Sequence, residues 1–321
     1  MVISMTIDRA LSGNPFSIDR FRCFEAAGRL RSFRPDAHVE AWSGLPRMSQ
    51  FIFKSLFVSI CHQFNWDFLQ NALAGSLLPD PERHLSQIAL TRSSEIARLL
   101  SSYPKPERIQ PQQRAKMLRK TARDLQSLLN AGRLDALFAK PRLEGERGFY
   151  DVMSEVSAFA EDELEKKVRV LAHDLHREGI LVFEDPQNLR PAVEYHILRL
   201  YIRTGRVYPT DDAVREQLRG PGTSSRARLV KLLRRSVEEA MNLTAFYADS
   251  NVATLNYVEW QMGRAICTPE VPHCLNPPID ELPTDVAALS VTRCAFADFC
   301  RSFTEPQYGW YHEPHFQKAI Y

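Results

Sequence analysis

Residues 149–179, FYDVMSEVSAFAEDELEKKVRVLAHDLHREG, repeat apolar side chains at helical spacing and end at a glycine. FIFKSLFVSICHQFNWDFLQNAL (51–73), RAKMLRKTARDLQSLLNA (114–131) and VEYHILRLYIRTG (193–205) have the same character. No stretch alternates apolar and polar residues long enough to argue a sheet. Only ILVF at 180–183 reads as strand, and it is too short to found a fold. Breaks fall in turn-forming segments at 103–113, 139–148, 183–191 and 219–225. The fold class expected is therefore all-α.

With 321 residues, the chain can build one large or two modest domains. Hydrophobic residues make up 44% and charged residues 25%, as in ordinary globular proteins. The most apolar stretch, FIFKSLFVSI, is interrupted by Lys54 and is too short for a membrane span. The opening MVISMTIDRALSG lacks the pattern of a signal peptide. A cytoplasmic protein with no membrane partner is the expectation, as a monomer. Net charge is only +2, so any nucleic-acid footprint must be local. RARLVKLLRR concentrates Arg226, Arg228, Lys231, Arg234 and Arg235, and RAKMLRKTAR holds five more basic residues. Such runs can contact phosphates, and a solvated basic helix face accounts for them as well.

Four cysteines, Cys267, Cys274, Cys294 and Cys300, follow the pattern C-x6-C-x19-C-x5-C, while Cys23 and Cys61 stand apart. Four clustered cysteines in a cytosolic chain favour metal over disulfides. Thiolates hold either a tetrahedral zinc or an iron–sulfur cluster, and ligand chemistry alone does not choose. The spacing does not match a zinc finger or ribbon.

VEWQMGRAICTPEVPHC (258–274) followed by CAFADFC (294–300) resembles the cluster loop of endonuclease III and its relatives, the helix-hairpin-helix DNA glycosylases. That resemblance implies a [4Fe–4S] cluster on the four cysteines, with one zinc as the alternative. The family has two residues between the middle cysteines where this chain has nineteen. PAVEYHILRLYIRTG (191–205) is similar to the family's segment around its catalytic aspartate, and especially to that of the archaeal 8-oxoguanine DNA glycosylases. Glu194 falls on the catalytic position, one methylene longer than the family's aspartate. Its other reading is a negative charge in the first turn of a helix.

The family's lysine nucleophile sits in a glycine-rich hairpin that this chain lacks. LEKKVRVLAHDL (164–175) looks like a distant version of the archaeal hairpin, implying Lys167, or less readily Lys166, as nucleophile; two lysines on a solvated helix is the plainer reading. In SICHQFNWDFLQ (59–70), Gln63, Trp66 and Asp67 are candidates for a pocket that stacks and reads an extruded base. They serve equally as polar decoration satisfying buried backbone.

If the resemblance holds, residues 46–189 form one helical subdomain with the base pocket and an atypical hairpin. Residues 1–45 pack with a second, 190–321, which carries the carboxylate and cysteine loop, and the substrate groove lies between them. The expected activity is excision of a modified or damaged base flipped out of DNA, with or without Schiff-base lyase chemistry. Hypermodified phage DNA, and hence a defence role, is among the substrates left open. Two alternatives stay beside it: a glycohydrolase of a free modified nucleoside, similar to queuosine-salvage enzymes, and a non-catalytic nucleic-acid-binding protein with a structural metal.

Overall fold

The computed structural model describes residues 13–35, 44–62, 64–77, 80–220, 227–305 and 311–314. Its architecture is helical throughout, with one two-stranded exception. Chain contacts divide it into two units, one formed by residues 1–35 with 193–318 and the other by residues 36–192 with the last three. None of the described helices is long and apolar enough to cross a membrane.

The first unit begins with strand β1 (Phe16–Ile18) and helix α1 (Arg20–Leu30), whose N-cap Asp19 accepts the Arg22 amide. The chain leaves for the second unit through α2 (Arg47–Ser59), α3 (Trp66–Leu77), the short α4 (Leu85–Ile88) and α5 (Ser93–Leu99), and the long α6 (Pro111–Asn130). It continues through α7 (Arg133–Ala139), α8 (Phe149–Ser154), α9 (Ser157–Ala160) and α10 (Lys166–Arg177). The first unit resumes with α11 (Tyr195–Thr204), β2 (Val207–Pro209), α12 (Asp212–Arg219), α13 (Ala227–Ala248) and α14 (Val252–Ala265). Two single-turn helices, α15 (Thr284–Ala287) and α16 (Arg301–Thr304), follow within and after the cysteine loop.

Two sequence readings are refined. The 149–179 stretch is three helices: extended backbone at Val156 separates α8 from α9, and a left-handed Glu165 (φ 51°) precedes α10. Residues 180–183 are not a strand; burial of Ile180, Leu181 and Phe183 explains their apolar character. The strands lie elsewhere. β1 and β2 pair antiparallel, Ser17 opposite Tyr208, tying the N-terminal segment to the chain after α11.

The first unit's core gathers Phe16, Cys23, Ile197, Tyr201, Val237, Met241, Val258, Met262 and Phe296. Inside it Arg206 and Glu259, both fully buried, form an ion pair, and the Tyr201 hydroxyl donates to Glu259 Oε2 at 2.8 Å. The Arg206 guanidinium also lies over the Tyr201 ring, 3.7 Å from its centroid. In the second unit the buried faces of α2, α6 and α10 converge, with Phe51, Phe57, Leu118, Leu125 and Leu171 fully buried or nearly so. Lys54, the charge within the apolar run of α2, is buried and paired with Glu178 at 2.7 Å. Burial and the neighbouring Asp174 push the Glu178 carboxyl up to about 7.

Candidate functional site

Glu194 is the N-cap of α11: its backbone is extended and its Oε1 accepts the His196 amide at 2.7 Å. Asp, Asn, Ser and Thr are the usual caps because their short side chains fold back easily. A glutamate here is a less common solution, and it leaves the carboxylate buried, 4% exposed, at the positive end of a helix. The structural reading that the sequence set beside the catalytic one takes this form: Glu194 is a buried cap at the start of the helix.

α11 continues from that cap to the cysteine loop. Arg199, fully buried, donates through Nε to the Cys267 carbonyl at 2.5 Å and through Nη2 to the Gly263 carbonyl at 2.9 Å. The same Nη2 reaches His196 Nδ1 at 2.8 Å, and Nη1 pairs with Glu313. Because arginine does not give up its proton, His196 Nδ1 must accept, so its neutral ring carries hydrogen on Nε2. One turn later Arg203, also fully buried, donates to the carbonyls of Thr268 at 2.6 Å, Pro269 at 2.8 Å and Tyr311 at 2.6 Å. Its Nη1 lies 3.7 Å from Cys267 Sγ, and Cys300 Sγ lies 3.4 Å from its carbonyl. A single helix thus carries the carboxylate at one end and grips the cysteine loop along its length.

Close approach of α14 makes this possible. A Cβ at Gly263 would stand 2.8 Å from the His196 carbonyl oxygen. Gly263→Ala is therefore expected to destabilise the protein by about 1–3 kcal/mol through overpacking against backbone. Chemical denaturation should show a lower midpoint with unchanged slope; an unaltered midpoint would remove the close-contact argument.

All four loop cysteines are buried, and no disulfide joins them. The Cys294 amide donates to the Cys274 carbonyl at 2.8 Å, so the nineteen-residue insertion leaves and returns at adjacent points. Burial pushes the Cys274 thiol up to about 11 and the Cys300 thiol up to about 12, and raises Cys294 well above the ordinary range. In each case neighbouring cysteines of the set add to the rise. A cation among them would reverse that repulsion, and on donor chemistry the set fits a soft metal centre. Among the described residues no three His, Cys, Asp or Glu side chains stand at metal-holding geometry.

In the second unit Trp66 and Lys167 both reach the C-terminal end of α2. Lys167, in the first turn of α10, is buried and its Nζ donates to the Ser59 carbonyl at 3.0 Å. Asp162 Oδ2 holds its backbone amide at 2.8 Å. Burial, with Lys166 and Arg114 adding their charge, lowers the Lys167 pKa against the opposing pull of Cys61 and Asp162. A solvated pair of lysines is not what the fold contains; Lys166 is half-buried and Lys167 buried. Trp66 reaches the same end of α2, its half-buried ring edge-on to Phe57 at 4.4 Å. Asp67 is exposed in the first turn of α3, and Gln63 lies outside the described residues.

Two residues near this end carry signals that sequence reasoning did not use. Arg114, fully buried, donates to the carbonyls of Ile60, His62, Arg108 and Ile109, closing the chain after α2. His62 is buried with neither ring nitrogen in good hydrogen-bond geometry, Gln110 being the side chain that would favour its charged form. Burial, followed by Arg114 and the two lysines, drives its pKa down to about 3. It is a neutral imidazole at physiological pH.

The basic run on α13 divides. Arg228, Lys231 and Arg235 are exposed at spacings that place them on one face, while Arg226 lies outside the described residues. Arg234 is half-buried and donates to the carbonyl of Val193, the residue before Glu194. That bond gives the Arg234 side chain a structural contact beside the carboxylate. The chain matches no protein-family description and no curated protein sequence.

Proposed function

We propose that the protein is an N-glycosylase acting on a modified or damaged base in DNA. The observation that carries this reading is α11, which holds a buried carboxylate at its cap and, through Arg199 and Arg203, the loop of four cysteines. This is the order of parts that the sequence resemblance implies, supported by contacts that join them.

Breaking an N-glycosidic bond moves the bonding electrons onto the base nitrogen and leaves positive charge on the sugar. In this reading Glu194 faces that charge as a fixed carboxylate and takes the proton of an attacking water. Its charge is favoured where it stands, at a helix N-terminus with one amide already bound. Cys267, Cys274, Cys294 and Cys300 would hold an iron–sulfur cluster or a zinc, which when bound supplies a clamp on the loop that α11 grips. Protein purified without air is expected to be brown, with a broad absorbance near ~400 nm and about four irons per chain. A colourless protein with a single zinc would assign the loop to the alternative metal, and one with neither would remove the metal centre.

Lys167 has the attributes of an amine nucleophile: burial and neighbouring cations favour its neutral form. If it attacks the sugar carbon as the bond to the base breaks, the resulting N-glycosylamine opens the sugar ring, the ring oxygen leaving with the amine proton, to give a Schiff base. Borohydride should then trap a covalent DNA adduct that Lys167→Ala abolishes. Because the pKa is lowered, the trapped fraction should rise with pH and level off below the ordinary lysine range. Base release without trapping would assign the attack to water.

A further inference from the structure

Tyr195 follows the capping carboxylate directly, at the first position of α11, and half of its surface (51%) is exposed. Its ring begins a row. The His196 ring lies 4.0 Å away, centroid to centroid, tilted by 43°. The Trp260 ring meets His196 edge-on at 6.2 Å, and the Arg264 guanidinium lies over Trp260 at 5.2 Å. Trp260 and Arg264 are one turn apart on α14, both half-buried. The row is rigid from beneath, because Arg199 fixes His196 and Gly263 lets its backbone rest against α14.

A large aromatic side chain at the first turn of a helix gains little by exposure. Tyrosine is not a strong helix former, and half of its apolar area stays wet. What an exposed, backed ring offers is a face for another flat ring. Every nucleobase has such a face, and base–aromatic stacking is a main source of affinity for unpaired strands and flipped bases. A cation over the far end of the row adds attraction for electron-rich rings and for phosphate.

Resting on the glycosylase reading, we propose that Tyr195 is the stacking residue for a nucleobase held beside Glu194, with His196 and Trp260 as its support. The ligand chemistry is a planar, unpaired base, from a strand or from a free nucleoside. Tyr195 governs which bases are held, through ring overlap, and takes no part in bond cleavage.

The test uses the full chain and 2-aminopurine, whose fluorescence falls when it stacks. It is presented in a short single-stranded oligonucleotide and, separately, as the free deoxyriboside. The unaltered protein and Tyr195→Phe should quench and bind the strand alike, whereas Tyr195→Ala should lose the quenching and bind roughly tenfold more weakly. Alanine at an exposed first-turn position keeps the helix, so the thermal melt should be unchanged, and rescue by phenylalanine excludes a merely structural effect. Quenching of the free deoxyriboside alone, lost in Tyr195→Ala, upholds the stacking role and identifies a nucleoside as the source. Equal quenching by Tyr195→Ala, or no quenching of either probe by the unaltered protein, overturns it. Base release from modified DNA, followed on the same samples, separates the two ideas: release that persists in the face of such a result leaves the glycosylase reading standing without the stacking residue.

Discussion

Glu194→Gln is expected to reduce base release by roughly 10²- to 10³-fold or more while leaving affinity for the same DNA unchanged. The amide keeps the shape of the side chain and can still accept the His196 N–H through its oxygen, so the cap on α11 survives in outline. What is lost is the negative charge, which matters only as the sugar becomes cationic. An effect confined to turnover, with binding intact, is the signature of a group used in the transition state. Glu194→Asp should retain part of the activity, because it keeps the charge and is the better cap but withdraws the carboxylate by one methylene. The measurement is release of free base from DNA rich in modified bases and from strands containing 8-oxoguanine, read by mass spectrometry under single turnover. Unchanged turnover in Glu194→Gln would mean that the buried cap serves the helix alone.

The second large effect concerns stability. Glu259→Ala should destabilise the first unit by about 3–5 kcal/mol, because it strands the fully buried Arg206 without its counter-charge and deprives the Tyr201 hydroxyl of its acceptor. For a unit of this size that corresponds to a melting temperature lower by roughly 10 °C, followed by circular dichroism or calorimetry. Replacing both partners by apolar residues, Arg206→Met with Glu259→Leu, should recover most of the loss, since the cost lies in the uncompensated charge and not in the absence of the pair. A single variant costing under about 1 kcal/mol would show that water reaches Arg206 or that the pair contributes little.

These two carboxylates illustrate why some residues were legible in the sequence and others were not. Glu194 stands out because a motif brackets it: a proline-preceded Val-Glu-Tyr-His run, then apolar residues and arginine, ahead of the cysteines. Glu259 has no such frame, and its partner Arg206 is 53 residues away, joined only when α14 packs on the chain after α11. The arginines of α11 read as part of an amphipathic helix. Their bonds to Cys267, Thr268 and Pro269 span more than sixty residues, so no local pattern announces them.

The basic run of α13 makes the same point in reverse. Composition treats Arg226, Arg228, Lys231, Arg234 and Arg235 as one patch, but helical geometry sends Arg234 inward to the Val193 carbonyl and leaves Arg228, Lys231 and Arg235 outside. Lys167 was a weak candidate on an acidic, polar stretch. Only the fold buries it against the end of α2, and desolvation, which is a property of surroundings and not of neighbours in sequence, is what lowers its pKa.

Helical class, the positions of several helices and the set of four cysteines were determined by the sequence alone. Periodicity, turn formers and residue type are local quantities, and helices are made from local hydrogen bonds. The β1–β2 pairing that ties the N-terminal segment to the chain after α11, the burial of the four cysteines and the bond from Arg199 to both His196 and Cys267 were decided by tertiary structure. Each depends on groups far apart in the chain arriving within a few ångströms, which only the packing of one helix against another can arrange.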